Sequence, residues 1–284
     1  MALAAFVAAL AAAMAMFGLS LTPDRYLLVL LAPALALRSA RRYLWDFVPF
    51  AVLILLYSEM RGLIHTIRPH PYYLPQLDAE RWLFGGHVPP VDVQHWLWTG
   101  HERWFDHALL FVTKIHSIIP TTLGFLLWLR RRALFYRFAA SMLTLSYAAA
   151  LTFLLYPAAP PWAAGREGLL DIVKIGGPAG ASSTAGVGGG SGLYRLIHGN
   201  PYAAIPSLHA GYAFMVFLMI ASLAWPTRHR WLGVGAAALY PALQSFAVVY
   251  TGNHYVVDLL IGYAFAAAAF FGVRAVWRRR GLPL

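Results

Sequence analysis

Long apolar stretches separated by short polar segments run through most of the 284 residues. A helix that crosses a bilayer needs about 20 consecutive, mostly apolar residues. The pattern predicts eight candidate spans, and the second of them is short and contains Pro33, so we expect it to be tilted or to cross half of the bilayer. The first is expected to be a retained helix, because no basic segment precedes it and no clear cleavage site follows it. The candidate spans are residues 2–21, 26–37, 47–64, 108–129, 138–156, 203–225, 231–250 and 255–277.

The composition places these stretches in a membrane. Hydrophobic residues make up 60% of the chain, charged residues 12%, and the mean hydropathy is +0.60. A soluble protein of this composition would expose far too much apolar surface. The sequence therefore predicts an integral membrane protein built as one helix bundle. The absence of cysteine excludes disulfides, zinc thiolate sites and thiol catalysis.

The net charge of +11 is distributed in a way that favours a membrane topology over nucleic-acid binding. More than half of the 22 lysines and arginines fall in four short clusters, and with eight spans all four clusters lie on the side of both termini. Because positive charge is enriched in cytoplasmic loops, we expect cytoplasmic termini in a bacterial plasma membrane, with residues 65–107, 157–202 and 251–254 outside. The clusters are Arg38, Arg41 and Arg42; Arg130, Arg131, Arg132 and Arg137; Arg228 and Arg230; and Arg274, Arg278, Arg279 and Arg280.

Two short polar islands, residues 204–212 and 250–258, each precede a long apolar stretch and carry the candidate chemistry. His254 and Asp258 are four residues apart, so on a helix they share one face, where the carboxylate can fix the imidazole tautomer. His209, on a separate helix, could then protonate a leaving oxygen. This set suits phosphoryl transfer through a phosphohistidine. The alternative is that these polar side chains only hydrogen-bond neighbouring helices together.

These islands resemble a known family. Pro206-Ser207-x-His209 and His254-x-x-x-Asp258 resemble the second and third signatures of the type 2 phosphatidic acid phosphatase superfamily. His254-Tyr255-x-x-Asp258 and Pro157-x-x-Pro160-Pro161-Trp162 look most similar to its inositol phosphorylceramide synthase branch. The resemblance covers roughly residues 108–277.

The resemblance implies an all-α polytopic bundle. The bundle would consist of a six-helix core and about two further N-terminal helices; residues 1–107 are expected to hold N-terminal membrane helices and an interfacial segment, and residues 108–284 the catalytic membrane core. It further implies that His254 attacks phosphorus, Asp258 orients it and His209 protonates the departing alcohol, without a metal or cofactor.

The chain departs from the phosphatase branch at two points. Val248 stands where that branch has an arginine six residues before the nucleophilic histidine, and the lysine-containing first signature is absent. We therefore expect a phosphotransferase that moves a phospho-headgroup from a membrane lipid to a polar or lipid hydroxyl acceptor at the extracytoplasmic face. The alternative is a lipid-phosphate phosphatase. A transporter is disfavoured because no broken spans recur in two halves.

Phosphate binding is expected from groups beside the islands. Arg166 and Arg195 rank above Lys174, because a guanidinium can bind a phosphate through two hydrogen bonds. Ser207 at a helix start and Asn253 in a tight turn complete the predicted substrate-binding set. For the three cations the alternative is ordinary surface charge.

Three further features are ambiguous. Six of the eleven histidines lie in residues 65–107, which we interpret as an aromatic and histidine-rich interfacial segment, although a metal site is conceivable. His116 is expected to make a structural hydrogen bond, with a secondary functional role as the alternative. The glycine-rich residues 176–192 lack the Gly-Lys-Ser/Thr ending and the preceding strand of a nucleotide-binding loop. We interpret them instead as a lid over the lipid headgroup. The six histidines are His65, His70, His87, His95, His101 and His107.

Overall fold

A computed structural model describes residues 23–176 and 202–282, and helices dominate both ranges. Their only extended pairing is a set of isolated parallel bridges that join Tyr72 to Ala158 and Ala158 to Ala203. The predicted all-α class is therefore confirmed. The helices of these ranges are α1 (Pro23–Ala36), α2 (Ala40–Ile67), α3 (Leu74–Leu83), α4 (Pro89–Leu97), α5 (Trp104–Lys114), α6 (Ile118–Arg130), α7 (Arg132–Leu155), α8 (Pro161–Arg166), α9 (Leu208–Ala224), α10 (Arg230–Tyr250) and α11 (Val256–Arg279).

Four helices of the described part, α2, α7, α10 and α11, are long and apolar enough to cross a membrane. The helices α5 and α6 together would form a fifth span, although they meet at a bend of 48°. The predicted span 108–129 is thus interrupted, and Pro120 near the start of α6 explains the break, because proline cannot continue a helix from the preceding turn. Helices α1 and α9 are apolar but shorter, with 14 and 17 residues. The predicted first span, 2–21, lies outside the described residues.

Packing between these helices buries one large apolar core. Aromatic rings of α2 interleave with those of α6 and α7; the rings of Phe47 and Phe135 stack at 4.7 Å, and Trp128 meets Phe47 edge-on at 5.7 Å. Large apolar side chains also cover the outside of the bundle; Leu232 and Leu239 of α10 are 74% and 70% exposed. Contact of such an apolar surface with lipid is favourable, whereas its contact with water is unfavourable. The fold therefore agrees with the predicted integral membrane protein.

The arginine clusters of several helices meet at one end of the bundle. Arg132 at the start of α7 bonds the buried Asp46 of α2 through its Nε at 2.8 Å, and the indole of Trp128 donates to the same carboxylate at 2.6 Å. The guanidinium of Arg42 lies 5.7 Å from the centre of the Trp128 ring. Arg137 lies close enough to the C-terminal arginines of α11 for their charges to interact. We call this region the arginine end.

The opposite end of the bundle is covered by α3, α4 and the segments that follow α7 and α8. The short backbone pairing of residues 72, 158 and 203 brings three of these segments together. Buried glutamines fasten them: Gln76 of α3 donates to the carbonyl of Ala159 at 3.0 Å, and Gln94 of α4 donates to the carbonyls of Val173 at 2.9 Å and Tyr250 at 2.8 Å. The predicted polar islands open α9 and α11 at this end.

Candidate active site

His254 lies immediately before α11 and is held by the first turn of that helix. Its Nδ1 is 3.3 Å from Oδ2 of Asp258, which also accepts the backbone N–H of Tyr255 at 2.9 Å. The histidine is 4% exposed and the aspartate is fully buried. Because an ionised carboxylate only accepts hydrogen bonds, this contact favours a proton on Nδ1 and leaves the lone pair of Nε2 available.

The turn before His254 depends on Gly252. This residue has a φ of +75°, and a Cβ at its position would lie 2.8 Å from the carbonyl oxygen of Val173. Only glycine fits such a backbone without strain. The backbone N–H groups of Asn253 and His254 both bond the carbonyl of Val248, at 2.9 and 3.2 Å, and so fix the direction in which the imidazole leaves the turn.

His209 reaches the same point from α9. Ser207 is the N-cap of this helix and its hydroxyl accepts the N–H of Ala210 at 3.3 Å, so His209 stands in the first turn. Its Nδ1 lies 3.1 Å from Nε2 of His254. The structure therefore brings together the three predicted catalytic residues, His209, His254 and Asp258, although they come from two helices.

Close packing of α9 against α11 makes this contact geometrically feasible. The N–H of Ser207 donates to the carbonyl of Asp258 at 3.1 Å. Opposite it, a Cβ on Gly262 would lie 2.4 Å from the carbonyl oxygen of Ser207, so a side chain there would force the helices apart. Glycine at 262 thus permits the approach that places His209 beside His254.

A third imidazole adjoins the pair. The ring of His116, in the bend between α5 and α6, lies 4.2 Å from the ring of His209, centre to centre. Its Nδ1 is 2.8 Å from the carbonyl of Thr113, which is the structural hydrogen bond expected for this residue. The ring of Tyr212 lies nearly parallel to His116 at 6.4 Å. His116 therefore belongs to the wall of the site.

The predicted phosphate-binding residues are spread around the site. Ser207 is fully buried, while Asn253 is partly exposed and donates from its amide to the hydroxyl of Thr251 at 2.7 Å. Lys174 lies over the Trp162 ring at 4.6 Å, and burial together with the nearby charge of Arg166 lowers the pKa of this lysine. The backbone N–H of Trp162 donates to the carbonyl of Gly252 at 3.0 Å and so connects Trp162 to the turn before His254.

Two parts of the prediction lie outside the described residues. Arg195, the third candidate cation, is one of them. Nearly all of the glycine-rich segment 176–192 is the other.

Sequence reasoning did not identify Glu80, a fully buried carboxylate of α3. Its two oxygens accept the backbone N–H groups of Val256 and Val257 at 2.9 Å each. These N–H groups belong to the first turn of α11 and have no partner within the helix. Burial raises the pKa of Glu80, and the two backbone hydrogen bonds oppose that shift. No local signal identifies this residue, since it precedes α11 by more than 170 positions.

The histidine-rich segment forms α3, α4 and the start of α5. Three of its histidines each pair with one carboxylate: His87 with Asp92 at 3.3 Å, His95 with Asp171 at 2.9 Å and His107 with Glu102 at 3.3 Å. Within the described residues no three His, Cys, Asp or Glu side chains are grouped closely enough to hold a metal ion.

Comparisons with known proteins bear on this site. A sequence model of the PAP2 superfamily matches residues 77–272. A phosphoinositol dihydroceramide synthase from Bacteroides thetaiotaomicron is 29% identical over 157 residues, which make up 52% of this chain and 48% of that protein. The chain thus spans about half the length of the curated relative it matches. No solved structure matches the chain.

Proposed function

The chain belongs to the PAP2 superfamily, and we propose that it is a membrane phosphotransferase that moves a phosphorylated headgroup from a lipid phosphoester to a hydroxyl acceptor. Membership confirms the family predicted from the two polar islands and its lipid-phosphate enzyme class. The similarity to a phosphoinositol dihydroceramide synthase agrees with the predicted inositol phosphorylceramide synthase-like branch and favours transfer over hydrolysis. The donor, the acceptor and the chemical steps below are our proposal.

The observation that carries the mechanism is the line of contacts from Asp258 through His254 to His209. The lone pair of His254 Nε2 attacks phosphorus, forming the N–P bond while the bond to the leaving oxygen breaks. Asp258 stabilises the positive charge that develops on the imidazole. A proton on His209 Nδ1, which faces His254 at 3.1 Å, passes to the leaving alcohol.

The second half of the reaction reverses these roles. The hydroxyl acceptor replaces the first product, gives its proton to His209 Nδ1 and attacks phosphorus, so that the N–P bond breaks and His254 is restored. The equatorial oxygens carry negative charge in both halves and need cationic or N–H donors nearby. The described candidates from the predicted set are Lys174, Arg166, Asn253 and the buried Ser207, and Arg195 remains a candidate by sequence alone.

The same arrangement supports a topology. The His209–His254 pair lies where α9 and α11 begin, whereas α11 finishes at the arginine end. Lysine and arginine residues are enriched on the cytoplasmic side of membrane proteins. We therefore propose that the arginine end faces the cytoplasm and that the site opens to the extracytoplasmic leaflet.

The test is turnover of phospholipids with a radiolabelled phosphoester, with inositol, sugars or lipid alcohols as acceptors. We expect headgroup transfer by the wild type and only background turnover by His254→Ala. The matched control is His107→Ala, which replaces an exposed histidine paired with Glu102 and should turn over normally. An acid-labile, alkali-stable label on the wild-type protein, absent from His254→Ala, would identify the phosphohistidine.

Each other outcome has a defined meaning. Release of a free phosphorylated product without transfer would replace the transferase by a phosphatase. Full activity of His254→Ala on every lipid phosphoester tested would contradict the mechanism, and the histidines would then serve only to join helices.

A further inference from the structure

Arg61 lies on α2, before the segment that matches the family, and faces the interior of the bundle. It stands between Tyr57 and Ile64, one helical turn from each, and these two side chains are only 7% and 5% exposed. Both belong to an apolar cluster with α7, against which Leu208 packs. Because residues at these spacings share one helix face, Arg61 points toward the start of α9, where Leu208 is followed by His209.

Contacts of the neighbouring side chains agree with this direction. The side chain of Tyr57 lies close enough to Tyr212 for the two hydroxyl groups to interact, and the hydroxyl of Tyr212 lies 2.7 Å from Ser146 Oγ. Tyr212 belongs to the same α9 face as His209 and is nearly parallel to His116. The Nε atom of Arg61 is buried, and its guanidinium is close enough for its charge to act on both His209 and His116.

This location differs from that of the cations predicted from the sequence. Lys174 and Arg166 lie beside Trp162, on the side of the turn that precedes His254. Arg61 approaches from the side of His209, where the leaving oxygen departs in the proposed mechanism. A guanidinium presents planar pairs of N–H donors that match two phosphoryl oxygens, and in a site closed to water such an interaction is strong.

We propose that Arg61 binds the phosphoryl oxygens of the lipid phosphoester held between His209 and His254. The proposal rests on the proposed phosphoryl transfer and adds to it a binding residue from a helix outside the family match. It also accounts for Val248, which is fully buried in an apolar cluster and replaces the arginine that the phosphatase branch has at that point.

The test compares Arg61→Gln and Arg61→Lys with the wild type on the lipid donor identified by the turnover assay. We expect Arg61→Gln to lower kcat/KM by about 100-fold to 1,000-fold, as for removal of one preorganised charge partner. Arg61→Lys should recover part of the loss, because an ammonium keeps the charge and lacks the paired donors. The control is Arg68→Gln at the exposed end of the same helix, for which kcat/KM should stay within about twofold of the wild type, as is usual for surface changes.

A second measurement separates binding from a structural role. Added guanidinium should raise the activity of Arg61→Ala by about tenfold or more, since the free ion can occupy the vacated place beside the phosphate. A side chain needed only for folding would not respond in this way. If Arg61→Gln does not fold, Arg61→Lys decides: a loss of at least about tenfold in kcat/KM at an unchanged melting temperature supports the proposal, and a wild-type kcat/KM overturns it.

The outcomes distinguish this inference from the proposed function. If His254→Ala is inactive while Arg61→Gln retains wild-type kcat/KM, the inference about Arg61 is wrong and the phosphoryl transfer stands. Absence of both lysine recovery and guanidinium rescue in folded variants would likewise overturn it. If His254→Ala is fully active, phosphoryl transfer through that histidine fails, whatever Arg61 does.

Discussion

At the scale of single residues, the distance between His209 and His254 depends on the absence of a side chain at position 262. Gly262 has no Cβ, and this allows the carbonyl of Ser207 to lie against α11. The N–H of the same serine bonds the carbonyl of Asp258 at 3.1 Å. Two backbone groups of one residue thus fix where α9 begins relative to the His254–Asp258 pair.

The first prediction concerns Gly262→Ala. The new Cβ would lie 2.4 Å from the carbonyl oxygen of Ser207, so the start of α9 must move and carry His209 away from His254. A displacement of about 1 Å in a reacting group can cost about 100-fold in rate. We expect kcat/KM to fall by about tenfold to 100-fold, with a lower melting temperature.

The matched control is Gly272→Ala on the same helix. No atom lies within 4 Å of the Cβ that this change adds. Alanine is favoured over glycine inside a helix by about 1 kcal/mol, so this variant should be as stable as the wild type or more stable. Equal activity of the two alanine variants would contradict the role given to Gly262.

At the scale of elements, α3 holds the first turn of α11 in place. Glu80 supplies the acceptors that two N–H groups of this turn lack. Asp258 stands in the same turn and caps the N–H of Tyr255. The direction of the His254–Asp258 pair is therefore set jointly by its own helix and by a helix far away in sequence.

This arrangement predicts a pH dependence of stability. Since burial raises the pKa of Glu80 above its ordinary value of 4.5, the group stabilises the fold fully below that value. This contribution is lost as the pH rises through the higher pKa of the folded protein. We expect the melting temperature of the wild type to fall over that pH range, relative to Glu80→Gln, whose side chain does not titrate.

The control for this effect is Asp78→Asn. Asp78 lies on the same helix α3 and its side chain is 67% exposed, so its removal should leave the pH profile of the wild type unchanged. Parallel melting profiles for the wild type and Glu80→Gln would show that ionisation of Glu80 is not linked to folding.

At the scale of the whole molecule, the sequence predicts what is encoded locally and misses what the fold brings together. His254 and Asp258 are four residues apart, so one helix turn suffices to predict their contact, and the glycine turn before them is equally local. Glu80 and Gly262 matter because of partners distant in sequence, Val256 and Val257 for the first and Ser207 for the second. Nothing near them in the sequence marks those partners.

Arg61 is an intermediate case. An arginine inside an apolar stretch is a signal in the sequence alone, since charged groups there are usually functional. Which site it serves depends on the packing of α2 against α7 and α9. The boundary between residues 1–107 and 108–284 stays a prediction, although α3 and α4, which lie before it, contact the ends of α11 and α10.

The proposed topology can be tested because the chain contains no cysteine. A single introduced cysteine is therefore the only thiol of this chain that a maleimide can label. Asp171→Cys places a cysteine at the end of the bundle that holds the His209–His254 pair, where the side chain of residue 171 is 92% exposed. Thr227→Cys places a cysteine in the exposed turn between α9 and α10. Because this turn lies at the far end of α9 from His209, beside Arg228 and Arg230, we expect it to face the cytoplasm.

A maleimide that cannot cross membranes should thus label Asp171→Cys in intact cells and Thr227→Cys only after permeabilisation. Both variants should label equally in detergent, which controls for reactivity. The reverse pattern would place the His209–His254 pair at the cytoplasmic leaflet. The lipid substrate would then have to enter from that leaflet, while the contacts among His209, His254 and Asp258 on which the chemistry depends would be unaffected.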